Sequence, residues 1–239
     1  MKSKNLFSVL LLSVTLFINY STSYAENNAQ VVKNKLFTQY KEQSKEAKII
    51  ASSRALLSKI KDVSFEFRQF SSNESAMNSD AIVGSVFYLA PEKFVIKQKK
   101  GALEQSFYCN GKTLFIYTPS QKQAITDKLS NWNKNSPLPL DLFSLDKFWS
   151  VLDREFLFSA KSLLNENACL VTFASKKNNA YFIDVLIDAK SYLPVSIKVR
   201  NSSFAQSTQF SNYKINTGIL KSTFIFKPAK DVDVIDLSE

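Results

Sequence analysis

The chain opens on an apolar run with no alternation. Leu6 to Phe17 reads LFSVLLLSVTLF behind Lys2 and Lys4. This run is too short to span a bilayer comfortably. Ser23-Tyr24-Ala25 then places small residues where a signal peptidase cuts. The pattern predicts a secretory signal peptide over residues 1–25, with cleavage after Ala25. No cysteine stands near that cut to take a lipid, and no later segment is apolar enough to cross a membrane.

Gln30 to Ile60 carries a helical period. Ile49, Leu56, Ile60 and Val63 recur at spacings of seven, four and three, with Ile50 and Leu57 beside them. The first half, around Glu42-Gln43-Ser44-Lys45-Glu46, is more polar and reads as a separate, looser helix. From Val63 the period is two. Val63, Phe65 and Phe67 alternate with Ser64, Glu66 and Arg68. Further strands are predicted at Ala81–Leu89, Phe94–Gln98, Leu103–Cys109, Thr113–Tyr117 and Gln123–Leu129, joined by short turns. Gly84 inside the first of them suggests a bulge. Ser130–Asp153 interrupts this meander with Pro137, Pro139 and an apolar series that reads as one or two short helices. Strands resume at Glu155–Ser159, Leu170–Ala174, Tyr181–Ile187, Val195–Arg200, Thr208–Tyr213 and Thr223–Phe226.

Gly111-Lys112-Thr113 has the ending of a phosphate loop, but the required first glycine falls on Ser106. A strand follows instead of a helix. Asn110-Gly111 between two apolar runs predicts a tight hairpin turn with positive φ at both positions.

Composition narrows the chemistry. Without the leader, 214 residues remain, enough for one well-buried domain. Taking Lys2 and Lys4 from 31 basic residues leaves 29 against 21 acidic ones, a net charge of +8. The basic residues are scattered, and the one tight run, Lys97-Gln98-Lys99-Lys100, reads as a solvated hairpin end. This argues against nucleic-acid binding and for attraction to acidic partners or anionic lipid surfaces. Cys109 and Cys169 allow either a disulfide, since export permits one, or two buried thiols. The absence of histidine removes the usual general base and the commonest metal ligand. There is no nucleophile motif and no C-x-x-C. Asp231, Asp233 and Asp236 do not fit a calcium loop and read as solvated acids on an extended tail. No cofactor, no metal and no enzymatic activity are expected.

Val86-Phe87-Tyr88-Leu89 and Phe115-Ile116-Tyr117 are apolar on both strand faces, unlike an open sheet with one wet face. Two readings stand. Helices and packing fill the concave face completely, or a curved sheet encloses a cavity capped by the Pro137–Leu152 helices.

A set of ordered short motifs bears on that choice. They are Phe65-Glu66-Phe67-Arg68-Gln69, then Gly84-Ser85-Val86-Phe87-Tyr88-Leu89-Ala90-Pro91-Glu92-Lys93-Phe94, then Asn110 through Pro119, and last Phe224 through Asp236. In order and spacing, from Val63 to Asp236, the chain resembles the LolA family of soluble periplasmic carriers of outer-membrane lipoproteins. The resemblance implies an α+β fold that is mainly β, an unclosed antiparallel β-barrel with a helical lid and a hydrophobic cavity. It implies a LolA-like domain over residues 63–239, with lid helices near 136–153; the N-terminal helical region, residues 26–62, precedes that domain. The positions matching the family's cavity face are Phe65, Phe67, Val86, Tyr88, Phe94, Ile96 and Phe107, with Phe94 at the mouth; Pro137, Leu138 and Leu140 fall in the lid. The implied partners are lipoprotein acyl chains, an ATP-driven inner-membrane Lol transporter and an outer-membrane acceptor, LolB or its equivalent, with the carrier acting as a monomer. Other outcomes are a carrier of phospholipid or glycolipid, or a lipoprotein-sensing module on the same fold. Two departures stand out: where the family has an arginine before the strand-turn proline, this chain has Ala90, and its N-terminal helical region is longer than the family needs.

Overall fold

The computed structural model describes residues 44–73, 81–134, 156–163, 167–176, 182–201 and 204–238. The signal peptide, the chain before Ser44 and the lid region near 136–153 lie outside them.

Helix α1 spans Lys45–Leu57. Ser44 caps it, its side chain accepting from the Ala47 N–H at 3.1 Å, which satisfies one of the orphan donors of the first turn. Ile49, Ile50 and Leu57 are buried, as the period predicts, but Ile60 lies beyond the helix end.

Among the described residues twelve strands follow in one sheet. In chain order they are β1 Asp62–Asn73, β2 Ile82–Leu89, β3 Lys93–Lys100, β4 Leu103–Asn110, β5 Thr113–Thr118 and β6 Gln123–Lys128. After the short helix α2, Leu129–Lys134, come β7 Phe156–Leu163, β8 Ala168–Ser175, β9 Phe182–Asp188, β10 Pro194–Arg200, β11 Phe204–Ile215 and β12 Asp233–Asp236. The spatial order is β12-β6-β5-β4-β3-β2-β1-β11-β10-β9-β8-β7. Two meanders, β1–β6 and β7–β11, therefore meet along the antiparallel β1–β11 seam. β7 and β12 remain as the two edges, so the sheet is unclosed, as expected from the sequence.

Several local expectations need correction. Gly84 marks no bulge: it pairs in register with Phe67 and Gln98. The irregularity sits at the seam, where Ser64 pairs with Lys214 but Glu66 with Ser211. The extra β11 residue is accommodated by Asn212, whose φ is 55°, a left-handed conformation that asparagine tolerates. At the β4–β5 hairpin only Gly111 has positive φ, 96°. Asn110 ends its strand instead, and its Oδ1 accepts from the N–H groups of Lys112 and Thr113 at 2.9 Å each. The two-residue loop is Gly111-Lys112.

Thr223–Phe226 is not a strand. Lys221–Phe224 forms a 3-10 turn, and the segment crosses the outer face of the sheet. Phe224 is 2 % exposed. The Phe226 ring stands 5.2 Å from that of Tyr108, 5.5 Å from Phe115 and 5.3 Å from Tyr117. This explains why Phe115-Ile116-Tyr117 is apolar on both sides. Ile116 faces the inner side, and its two neighbours face the chain's own C-terminal segment. β12 then pairs in parallel with β6, and its acidic side chains are exposed.

Candidate functional site

The period of two places alternate side chains of β1–β5 on one inner face. Register then lines them up across strands. Phe65, Val86, Ile96, Phe107 and Ile116 form one row. Tyr88, Phe94, Cys109 and Leu114 form the row beside it, starting from Val63. All seven strand positions predicted from sequence thus share one face and one buried cluster. Phe67 lies in the next row, opposite Gly84. Phe94 is 6 % exposed and belongs to the cluster. Pro137, Leu138 and Leu140 lie outside the described residues.

Several contributors on this face escaped the sequence reading. Phe210 meets Phe65 edge-on at 5.7 Å, and Tyr213 lies against it at 5.3 Å. They come from β11, far along the chain, and only the seam brings them there. Helix α1 packs on the same face at β7 and β9. There Ser162 donates its backbone N–H at 3.2 Å, and also its hydroxyl, to Glu46 Oε1. Those hydrogen bonds, the hydroxyl's first, hold the Glu46 carboxyl below its ordinary pKa. The polar first half of the helical region therefore includes a docking residue. Gln98 is a further correction. It lies inside the lysine run read as a solvated hairpin end, yet it is buried on the inner face while Lys97 and Lys99 point outward. Strand alternation carried that signal.

The inner face offers little to bond chemistry. Cys109 and Cys169 are free, buried thiols, on β4 and β8, with six strands between them in the sheet. Burial pushes Cys109 up to about 12 and Cys169 up to about 11, so neither forms the thiolate that nucleophilic attack requires. Burial likewise raises Tyr213 well above its ordinary value, and its hydroxyl donates to the Pro194 carbonyl at 2.8 Å. Among the described residues no group of three Cys, Asp or Glu side chains comes together as a metal site. What the rows provide is a broad apolar and aromatic cluster, 0–6 % exposed at the seven predicted strand positions.

A groove of about 600 Å³ opens on the opposite face. By register, Glu66, Arg68, Val83, Ser85, Lys97 and Lys99 line it from the outer side, over Gly84. Lys99 pairs there with Glu104 at 3.2 Å. Most of its lining residues are polar or charged, and of the seven predicted strand positions it touches only Phe67.

Ala90, the residue that the sequence resemblance sets against an arginine, lies at the turn after β2. Its N–H donates to the Lys61 carbonyl at 2.8 Å, and its methyl packs against the core. It has no side-chain donor with which to hold a lid.

No family model matches the chain, and no curated protein matches it in sequence. Among solved structures, an uncharacterized conserved protein from Thermus thermophilus shares the fold: TM-score 0.53 at 13 % identity, covering 80 % of this chain and 98 % of that one. A LolA superfamily protein from Nitrosomonas europaea gives a TM-score of 0.42 at 10 % identity, covering 75 % and 96 %. The Mycobacterium tuberculosis lipoprotein LppX gives 0.41 at 10 %, covering 73 % and 95 %. The Thermus thermophilus protein thus shows a shared fold alone, with no match at the level of sequence.

Proposed function

We propose that this chain is a periplasmic carrier, or chaperone, for lipoproteins. It binds the acyl chains of lipoproteins released from the inner membrane and delivers them to the outer membrane. The observation that carries the reading is the inner face itself: buried rows of aromatic and aliphatic side chains with no activated nucleophile among the described residues. Such a surface suits binding of acyl chains and does not suit turnover. The leader and the ordered motifs that resemble the LolA family support export and this cargo class.

Energetics set what the partners must do. Each methylene moved from water to an apolar site contributes about 0.8 kcal/mol. A lipoprotein with several long chains therefore gains tens of kcal/mol, by the same arithmetic, in either the carrier or the membrane. The carrier competes only on the difference. Extraction then requires energy from outside the chain, the role we assign to an inner-membrane Lol ABC transporter. Hand-off requires only that an outer-membrane acceptor, LolB or its equivalent, bind the cargo better by a few kcal/mol.

The test is a release assay. Purified mature protein is added to cells stripped of their outer membrane, and the soluble fraction is probed for outer-membrane lipoproteins. A soluble complex between carrier and lipoprotein is the expected result. No release, with the protein folded and the matched transporter present, would overturn the reading in favour of another lipid cargo or a sensing role.

A further inference from the structure

Three glutamines are out of character with the face they occupy. Gln98 lies in the row of Gly84 and Phe67. Gln69 lies one inner-face position further along β1, and Gln206 one further again, paired with Ser71. They are 6 %, 1 % and 2 % exposed. Thr208 donates its hydroxyl to Gln69 Oε1 at 3.2 Å. Gln98 donates from Nε2 to Gln105 Oε1, and Gln105 from Nε2 to Thr118 Oγ1, at 3.4 Å each. Each of the three still has one amide atom with no partner: Nε2 of Gln69, Oε1 of Gln98 and Oε1 of Gln206. Unpaired buried polar atoms are destabilising and rare, and each calls for a cause.

The arrangement has two further properties. The amide band borders the apolar row of Phe65, Val86, Ile96 and Phe107, about 7 Å away at two residues of strand rise. Lys100 takes the next inner-face position of β3 after Gln98 but is exposed at the strand end; among the described residues no buried lysine, arginine, aspartate or glutamate occupies an inner-face position of the band. An ionised phosphate or carboxylate buried here would lose its hydration and find no buried cation beside it. A neutral amide or ester would find donor and acceptor atoms already desolvated.

We infer that this glutamine band receives the uncharged amide or ester linkage of an acyl ligand whose hydrocarbon chain runs along the adjoining apolar rows. The inference rests on the proposed lipid-carrying function and specifies the part of the cargo that this face reads. Ionised head groups remain outside.

The test uses the mature protein and a fluorescent apolar dye, N-phenyl-1-naphthylamine. The dye is displaced in turn by dodecanamide, methyl dodecanoate and ionised dodecanoate at pH 8. The amide and the ester should displace it at concentrations about tenfold below the carboxylate, the scale of one hydrogen bond's net contribution. Gln98→Met and Gln206→Met should reduce that preference while leaving dye binding unchanged. Dye binding with equal displacement by all three compounds would overturn the inference while leaving the carrier reading intact. So would an undiminished preference in both variants, with buried water then accounting for the unpaired atoms. Absence of dye binding in the folded protein would overturn the carrier reading itself, and the inference with it.

Discussion

The ring of Phe67 lies directly over the backbone of Gly84. A Cβ added at Gly84 would stand 2.6 Å from both Cε1 and Cζ of that ring, and 2.3 Å from the Lys97 carbonyl oxygen. Gly84 is required for space, since its partners across β1 and β3 remain in register. Gly84→Ala should destabilise the protein by about 1–3 kcal/mol, the range for overpacking a filled core, measured by urea unfolding. Phe67→Leu in the same chain should recover part of that loss. A Gly84→Ala protein as stable as the parent would show that the ring can move aside freely.

Phe94 is the residue that the family resemblance places at a cavity mouth, but only 6 % of it is exposed. Phe94→Glu would therefore put an unpaired carboxylate into the cluster, at a cost of about 3–5 kcal/mol. Its failure in delivery would then report unfolding as much as lost binding. Phe94→Leu is the better probe: near-native urea stability with reduced recovery of soluble lipoprotein complex is the expected outcome.

The two thiols give a sharp chemical prediction. Both are buried, and burial raises both pKa values, to about 12 and about 11. A thiol reagent at pH 8 should label neither in the native protein and both after unfolding. Non-reducing electrophoresis of the exported protein should show the same mobility with and without reductant. A faster non-reduced band would place Cys109 and Cys169 in a bond across the sheet.

Acid should weaken the docking of α1. The Glu46 carboxyl is held below its ordinary value of 4.5 mainly by the Ser162 hydroxyl. Asp188 is held below 3.8 mainly by Ser191, whose hydroxyl donates to it at 2.7 Å. A carboxylate with a lowered folded pKa contributes stability above its unfolded pKa and loses it as pH falls through the folded value. Stability should therefore decline on going below about pH 4.5, the window set by these two groups. Ser162→Ala should cost about 1 kcal/mol at neutral pH and flatten this decline. An acid limb with the parent's slope would remove Glu46 from the account.

The C-terminal segment should behave as part of the domain core. Asp62 accepts from the N–H groups of Thr217 and Gly218 at 2.9 and 3.2 Å, fixing the start of that segment to β1. Phe224 is then buried beneath it. Phe224→Ala should cost about 3–5 kcal/mol, as for other buried aromatics. Truncation before Leu220 should expose Tyr108, Phe115 and Tyr117 and raise binding of a hydrophobic dye.

Local pattern determined much of this protein. Alternation in β1–β6 is a property of neighbouring residues, so it was legible at Phe65, Phe67, Val86 and Tyr88, and it also assigned a face to Gln98 in the lysine run. The turn at Gly111 was legible because one glycine with positive φ suffices to reverse a strand, although the asparagine before it serves as an acceptor. The remaining features depended on contacts between residues far apart in sequence. Alternation alone does not say that β11 returns to pair with β1, that Phe210 and Tyr213 complete the inner face, or that Glu46 docks on Ser162. Nor does it distinguish a strand at Thr223–Phe226 from a segment laid over Tyr108, Phe115 and Tyr117. Both bury every second aromatic, and only the sheet already formed beneath decides between backbone pairing and side-chain packing. The unpaired atoms of Gln69, Gln98 and Gln206 belong to the same class. Each glutamine is ordinary in its own strand, and the deficit arises only when the fold removes water from all three.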